Sequence, residues 1–263
     1  MNIQKQLAVI LILMGCMQVG SIKAQDWVNP NQVTISLGSV QGLVKDELYS
    51  PLNYKSDGGT LGLNYQKLTK KRHLFAVDIE LQTLEIKTNV SEFFIADQVK
   101  LNIEIAYLIS ISSSKNSRLF VGPDLHSNGA LINFEDDFTL SNSGTFVSHR
   151  GLGAQVLHRS RFKKNTIHIH GKLPLVGKVY RSPYNLFTKD LNDEQLFSFL
   201  YTNGELSTVH NYFNPSVATT ISRPLFRNIH FTAGYELNYL YSSVNKSITN
   251  YQGRFIFATI FKF

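Results

Sequence analysis

The chain ends with residues 251–263, YQGRFIFATIFKF, and this stretch decides how the rest of the sequence is interpreted. Its alternate residues fall into two sets. Because successive side chains of a strand point to opposite faces, this period of two predicts a strand with one strongly apolar side. The last strand of a soluble sandwich is the alternative that this stretch alone leaves open. The aromatic set is Tyr251, Gly253, Phe255, Phe257, Thr259, Phe261 and Phe263, and the other set is Gln252, Arg254, Ile256, Ala258, Ile260 and Lys262.

The same residues carry a family resemblance. The run resembles the closing strand of bacterial outer-membrane β-barrel proteins, which ends on Phe with apolar residues at alternate positions before it. The resemblance covers only the end of the chain. It implies an integral protein of the bacterial outer membrane, with outer-membrane lipids and the barrel assembly machinery as partners. It also implies an assembly signal in four aromatic side chains: Phe255, Phe257, Phe261 and Phe263.

The N-terminal residues have the organisation of a secretory signal peptide. A lysine precedes an apolar run, and small and polar residues follow up to Ala24. This predicts a signal peptide over residues 1–24 and one barrel domain over residues 25–263. Two processing events stay open, cleavage after Ala24, which we favour, and lipidation of Cys16. Because Cys16 is the only cysteine, a chain cleaved after Ala24 has no disulfide and no thiolate metal site.

The rest of the chain repeats the two-residue period in ten segments. In the clearest one, every second residue from position 99 to position 111 is Val, Leu, Ile or Tyr. A tilted strand needs about 9–11 residues to cross a bilayer, and such runs reach that length. The predicted fold is therefore an all-β, transmembrane, up-and-down antiparallel β-barrel of about ten strands. The segments are 32–43, 60–69, 74–87, 98–112, 118–131, 146–159, 166–180, 208–222, 229–242 and 251–263.

The predicted connections alternate between short and long. This alternation is typical of a barrel with short periplasmic turns and longer extracellular loops, and it places both termini in the periplasm. The short turns are predicted at 70–73, 114–117, 160–165 and 223–228, and the longer loops at 44–59, 88–97, 132–145, 181–207 and 243–250.

The predicted long loops contain most of the acids. A solvated surface accounts for these acids, and the alternative is a divalent cation that bridges them to anionic lipid headgroups. No other cofactor is expected. The longest loop also contains a short predicted helix over 192–201, with Asn192 as its cap and Gly204 as its stop. The loop acids are Asp46, Glu47, Asp57, Glu92, Asp97, Glu135, Asp136, Asp137, Asp190, Asp193, Glu194 and Glu205.

Alternation alone does not say which face of a strand lies inside the barrel. A lumen enclosed by about ten strands has no room for so many aromatic side chains, unless it holds an apolar ligand. The apolar face is therefore predicted to face lipid, and the polar face to line the lumen. Buried charges must be paired, so we predict an ionic network that plugs the lumen, with Lys172 as the one base at mid-height. The network residues are Asp78, Glu80, Lys100, Glu104, Asp124, Lys172, Lys178, Glu236 and Arg254.

Residues 124–129, DLHSNG, form the sharpest chemical motif. They resemble the His-any-Ser-Asn-Gly signature of outer-membrane phospholipases and the His-any-Ser-Asn of lipid A deacylases. The resemblance implies His126 as base, Ser127 as nucleophile and Asn128 as an oxyanion donor or orienting group, with Asp124 on the same face as His126. The spacer between His and Ser is missing here. Adjacent strand residues point to opposite faces, so only a bulge would bring the two side chains together.

The remaining motifs point to no further chemistry. His168 and His170 share one strand face at a spacing that binds zinc or copper when a third ligand joins them, but no third ligand is evident. Neither a phosphate-cradling Gly motif nor a basic-aromatic stripe for nucleic acid is present. The sequence thus predicts a non-enzymatic barrel with a structural or interaction role. A lipid-modifying hydrolase and a narrow passive solute channel are the alternatives, and no ligand, loop partner or oligomeric state is identified.

Overall fold

The computed structural model describes residues 31–47, 50–69, 72–88, 95–114, 116–135, 143–182, 186–187, 204–226, 228–244 and 246–263. The predicted signal peptide, the predicted helix and half of the loop acids lie outside these residues. Within them, no helix is long and apolar enough to cross a membrane. The strands are β1 (Asn31–Asp46), β2 (Ser50–Leu68), β3 (Leu74–Thr88), β4 (Ile95–Ser113), β5 (Ser117–Glu135), β6 (Ser143–Phe162), β7 (Asn165–Arg181), β8 (Leu186–Phe187), β9 (Glu205–Thr208), β10 (Tyr212–Phe213), β11 (Ser216–Pro224), β12 (Ile229–Ser242) and β13 (Ile248–Lys262).

Ten of these strands close into an antiparallel barrel. Each strand from β1 to β6 pairs with the one that follows it in the barrel, so that β6 pairs with β7. Strand β7 then pairs with β11, and β11, β12 and β13 follow in order. The last strand, β13, pairs with β1 along its whole length, from Lys262 opposite Gln32 to Ile248 opposite Asp46. The prediction of an all-β, up-and-down barrel of ten strands is confirmed.

The two ends of the barrel differ. One end carries the tight connections that follow β2, β4, β6 and β11, together with Asn31 and Phe263; we call it the turn end. Arg72 and Lys163 adopt left-handed backbone conformations that close two of these turns. The backbone N–H of Phe263 donates to the carbonyl of Asn31 at 3.1 Å and fastens the final residue to the first strand. We call the opposite end the loop end.

The outward face of the barrel is apolar over most of its height. Leu37 is 61% exposed and Phe257 is 54% exposed, and they lie opposite each other on β1 and β13. On β3 the outward side chains are apolar up to Leu81 and become charged at Glu85 and Lys87, which form an ion pair of 2.6 Å. An apolar belt of this extent requires an apolar covering.

The strands continue further toward the loop end than periodicity predicted. Strands β2, β4 and β5 contain 19 residues each and β6 contains 20. The predicted loop 44–59 is instead a close hairpin, in which β1 and β2 stay paired until Asp46 lies opposite Ser50. Asp57 and Asp97 therefore lie on strands. The prediction failed because the apolar alternation ends where the outward face becomes polar, while the backbone hydrogen bonding continues.

The predicted strand 208–222 is divided in the structure. Strand β11 begins only at Ser216 and pairs with β7 up to Lys172. Closer to the loop end, β9 pairs with β7 and β10 pairs with β12. These two short strands therefore fill the space between β7 and β12 that β11 does not reach. The turn between them is fixed by the Asn211 side chain, which accepts the backbone N–H of Thr208 at 2.7 Å. His210 is therefore exposed in this turn.

The interior is layered along the barrel axis. An apolar cluster lies near the turn end, two more lie near the loop end, and polar side chains occupy the level between them. The turn-end cluster is Leu74, Ala106, Leu108, Phe120 and Leu157, and the loop-end clusters are Val44, Tyr54, Ile86, Ala96 and Ile132, and Val179, Tyr212 and Val244.

Candidate functional site

Lys172 of β7 connects two carboxylates across the lumen. Asp78 and Glu104 lie directly opposite each other on β3 and β4, and two like charges in that position repel. The Nζ of Lys172 lies 3.0 Å from both carboxylate oxygens of Glu104 and 3.8 Å from Oδ2 of Asp78. The lysine therefore offsets the repulsion and ties opposite walls of the barrel together.

Arg254 of β13 forms a second bridge. Its guanidinium donates to Glu236, its neighbour on β12, and to Glu80 on β3. Glu80 also accepts the amide N–H groups of Gln82 at 2.7 Å and Asn102 at 3.2 Å. Arg254 and Glu80 are 14% and 12% exposed, so this bridge is more shielded from solvent than that of Lys172, which is 25% exposed.

The two remaining lysines of the predicted network, Lys100 and Lys178, lie on opposite faces of the barrel wall. Lys100 lines a cavity together with Glu80 and Glu236, as its sequence position predicts. Lys178 is exposed on the outer face, so its predicted place in the lumen network is wrong. The reason is a bulge: Pro174 pairs with Gly153 and Val176 with Leu152, which leaves Leu175 without a partner. The extra residue reverses the faces of all later positions in β7.

Asp124 pairs with a histidine rather than with a lysine or arginine. Its Oδ1 lies 2.6 Å from Nδ1 of His126, and Nε2 of His126 lies 3.0 Å from Nδ1 of His149. The His149 ring stacks on Tyr212, with ring centroids 3.8 Å apart. All four side chains are buried, so they form one polar chain from mid-height to the loop end.

Ser127 lies on the other face of β5 from His126. The pairing of β5 with both β4 and β6 runs without a shift from Asp124 to Asn128, so no bulge is present there. Ser127 is aligned with Ile103 of β4, whose side chain is on the outward face. The structure thus brings Asp124 and His126 together and separates both from the hydroxyl that a hydrolase would need.

His170 and His168 lie on the turn-end side of the charged layer. Nε2 of His170 lies 2.9 Å from the amide oxygen of Gln155. Across the described part of the chain, no group of three His, Cys, Asp or Glu side chains has a geometry that could hold a metal ion. Of the acids predicted to bind a divalent cation, Glu92, Asp136, Asp137, Asp190, Asp193 and Glu194 lie outside the described residues.

The loop end is closed by contacts that sequence reasoning missed. The guanidinium of Arg181 pairs with the Asp46 carboxylate and donates to the carbonyl of Lys246 at 3.0 Å, and both charged side chains are almost fully buried. Tyr212 fills the mouth beside them, and its burial raises the pKa of its phenol, which stays neutral. Glu47 joins the neighbouring connection, where a hydrogen bond with the Ser247 side chain lowers the pKa of its carboxyl.

The inward position of His149, which sequence reasoning also missed, did have a signal in the sequence. On β6, the residues on the same face as Gln155 include His149 and two glycines, and they alternate with larger apolar residues such as Leu152 and Val156. This pattern marks His149 as inward. The positions of Arg181 and Tyr212 depend instead on the bulge at Leu175 and on the short strand β10, which leave no periodic pattern.

Two cavities adjoin the charged layer and share its residues. One has a volume of about 90 Å³ and extends toward the loop end beside His126 and Asn128. The other has a volume of about 200 Å³ and extends toward the turn end beside Gln66, Arg159 and His168. The ion pairs therefore divide the interior space.

The predicted assembly residues lie on the outside of the closing strand. Phe255, Phe257, Phe261 and Phe263 are between 39% and 61% exposed, and Phe257 stacks with Phe231 of β12 at a centroid distance of 6.5 Å. These rings belong to the apolar belt and contribute nothing to the lumen.

Comparison with known proteins gives the fold. No family model matches the sequence, and no curated protein matches it. The outer membrane protease OmpT from Escherichia coli superposes with a TM-score of 0.53 at 9% identity, over 94% of this chain and 99% of that chain. The translocator domain of the autotransporter NalP from Neisseria meningitidis gives a TM-score of 0.48 at 10% identity, over 99% of this chain and 95% of that chain. The resemblance to bacterial outer-membrane β-barrels is confirmed at the level of the fold.

Proposed function

Because the chain has the architecture of bacterial outer-membrane β-barrels, we propose that it is an integral outer-membrane barrel with a closed lumen, which presents its loop end outside the cell and conducts no solutes. Its role is structural or one of interaction. The observation that carries the proposal is the layer of cross-lumen ion pairs, in which Lys172 and Arg254 each bind carboxylates on two strands.

Side chains at the loop-end mouth also support the proposal of a closed lumen. The buried Arg181–Asp46 pair and the Tyr212 ring occupy the loop-end mouth. A solute would have to displace both of these groups and then separate the ion pairs at mid-height. Breaking buried pairs leaves uncompensated charges, which costs several kcal/mol for each pair. Barrels of about ten strands have little lumen left once their side chains are packed, whereas open channels are typical of about 16–18 strands.

The outer face of the barrel supports the proposed location and orientation. The apolar belt suits the hydrocarbon of a bilayer, and Tyr239 and Tyr251, adjacent on β12 and β13, lie near its loop-end boundary as interfacial aromatics. The turn end then faces the periplasm, and outer-membrane lipids cover the belt. The exposed Phe263 fits the assembly signal that the closing strand implies, with the barrel assembly machinery as its partner.

Conductance measurements test the proposal. Refolded protein is added to a planar lipid bilayer under an applied voltage, with a porin of about 16 strands as a positive control. We expect no stable current steps from the wild-type protein. A steady, ohmic current from protein whose folding is verified by a heat-dependent gel shift would overturn the closed-lumen proposal. Recovery of the folded protein without detergent or lipid would overturn the membrane location.

A further inference from the structure

The outer rim of the barrel at the turn end is basic. Exposed cationic side chains lie in the turns that follow β2 and β6 and on the strand ends beside the turns that follow β2 and β11. The segments that form these three hairpin ends, 58–77, 154–172 and 218–235, contain no Asp or Glu. The exposed cations therefore have no carboxylate within their own hairpin ends. The group, which we call the basic rim, consists of Lys67, Arg72, Lys163, Lys164 and Arg223.

The outward charges near the loop end are arranged differently. There the lysines lie close to acids of the same strand or connection, with Lys45 3.7 Å from Glu47 and Lys87 2.6 Å from Glu85. Among the ion pairs of the residues that the structure describes, none includes a member of the basic rim. The positive charge of the rim is therefore available to an anion outside the protein.

Aromatic side chains place the basic rim at the edge of the apolar belt. Arg223 of β11 lies directly opposite Phe231 of β12, which is 42% exposed on the outward face. The Nζ of Lys163 lies over the Phe162 ring, 5.5 Å from its centroid. Aromatic rings are enriched where a membrane meets water, and long basic side chains extend from there toward the headgroups. With the belt in a bilayer, the charges of the rim lie at the level of the lipid headgroups.

The turn between β11 and β12 adds apolar side chains to the basic rim. Leu225 and Phe226 are 60% and 70% exposed. Their backbone N–H groups donate to the Ile229 carbonyl at 2.9 Å and 3.1 Å, and these bonds fix the tip of the turn. Large apolar side chains are unfavourable in water, but they suit the boundary between headgroups and acyl chains. Beside Arg223, they give this turn the composition of a segment that lies in the lipid interface.

The basic rim is distributed around the barrel. Lys67 and Arg72 belong to the hairpin of β2 and β3, Lys163 and Lys164 to that of β6 and β7, and Arg223 to that of β11 and β12. These hairpins lie on different sides of the closed sheet. A shell of lipid surrounds the whole barrel, whereas one partner protein would contact only one side. The distribution therefore favours lipid as the partner of the rim.

We propose that the basic rim binds the phosphate groups of anionic phospholipids in the periplasmic leaflet, in preference to zwitterionic lipids. Lysine and arginine side chains near a membrane surface attract anionic headgroups and form charge-assisted hydrogen bonds with their phosphates. This preference rests on the proposed membrane location, with the turn end in the periplasm.

Electron paramagnetic resonance of spin-labelled lipids tests the preference. The refolded full-length protein is reconstituted in phosphatidylcholine vesicles that contain a trace of spin-labelled phosphatidylglycerol or spin-labelled phosphatidylcholine. The fraction of label immobilised at the protein surface gives the relative association of the two lipids. We expect phosphatidylglycerol to associate about threefold more strongly at low ionic strength. The ratio should fall toward one at high salt, which screens exposed charges.

Two results would overturn the proposal in different ways. Equal association of both labelled lipids at low salt would overturn the lipid preference, in favour of a soluble acidic partner in the periplasm, and would leave the membrane location standing. Absence of any immobilised lipid would overturn the membrane location itself, and the preference with it.

Matched variants locate the site. The double variant Lys67→Gln, Lys163→Gln should lower the ratio of association from about three to about two or less. The double variant Lys45→Gln, Lys87→Gln removes the same charge near the loop end and should leave the ratio unchanged, because both lysines already have carboxylate partners. If the rim double variant does not fold, Arg223→Gln replaces it. An equal loss of preference in rim and control variants, or no loss in either, would refute the assignment to the basic rim.

Discussion

Replacing Lys172 by Met tests whether the charged layer holds the barrel together. The substitution keeps an unbranched side chain, shorter by one atom, and removes its charge. It therefore leaves Asp78 and Glu104 opposite each other without a cation. Loss of one partner of a fully buried ion pair costs about 3–5 kcal/mol. Because Lys172 is 25% exposed to the water of the lumen, we expect a smaller loss of about 2–3 kcal/mol in the free energy of unfolding.

The assay is urea unfolding in detergent micelles, followed by circular dichroism and by the heat-dependent gel shift. Lys178→Met is the matched control, since it is the same change on the same strand but on the outer face, and it should cost less than about 0.5 kcal/mol. The difference between the variants should shrink at acid pH, where protonated carboxylates no longer repel each other. The double variant Lys172→Met, Glu104→Gln should recover part of the stability.

Two results would refute this reasoning. One is an unfolding midpoint for Lys172→Met that equals that of Lys178→Met. The other is strict additivity of Lys172→Met and Glu104→Gln, which would mean that the two side chains do not interact despite the 3.0 Å between Nζ and each carboxylate oxygen.

Three further predictions concern other parts of the barrel. Deletion of Phe263 should lower the amount of protein in outer membranes several-fold by immunoblot, and normal levels would contradict its role in assembly. Ser127→Ala should change neither stability nor any deacylation of phospholipid or lipid A, since its hydroxyl lies on the opposite face from His126; loss of a measured deacylase activity would restore the hydrolase alternative. Gly177→Ala should lower the free energy of unfolding in urea by about 1–3 kcal/mol. The reason is that the new methyl group would lie 2.2 Å from the Arg150 carbonyl oxygen and 2.8 Å from Nε2 of His149. An unchanged unfolding midpoint would contradict this steric argument.

Part of the candidate site was predictable from the sequence. On a strand without irregularities, successive side chains alternate between the two faces. Counting residues along the strand therefore places Asp78, Glu80 and Glu104 on the inward face. The same counting gave the wrong face for Lys178, because the unpaired residue Leu175 precedes it on β7 and shifts the alternation by one residue. This bulge has no recognisable sequence motif, so the periodicity of the sequence cannot detect it.

The sequence by itself determined the fold class, the strand count and the apolar outer face, because each depends on local alternation that a strand imposes on its own residues. Only the tertiary structure decided which inward charges meet. Lys172 and Glu104 are 68 residues apart in sequence, and Arg254 and Glu80 are 174 apart. Such partners are selected by the register and closure of the barrel, which set the relative heights of distant strands, and no local pattern records that information.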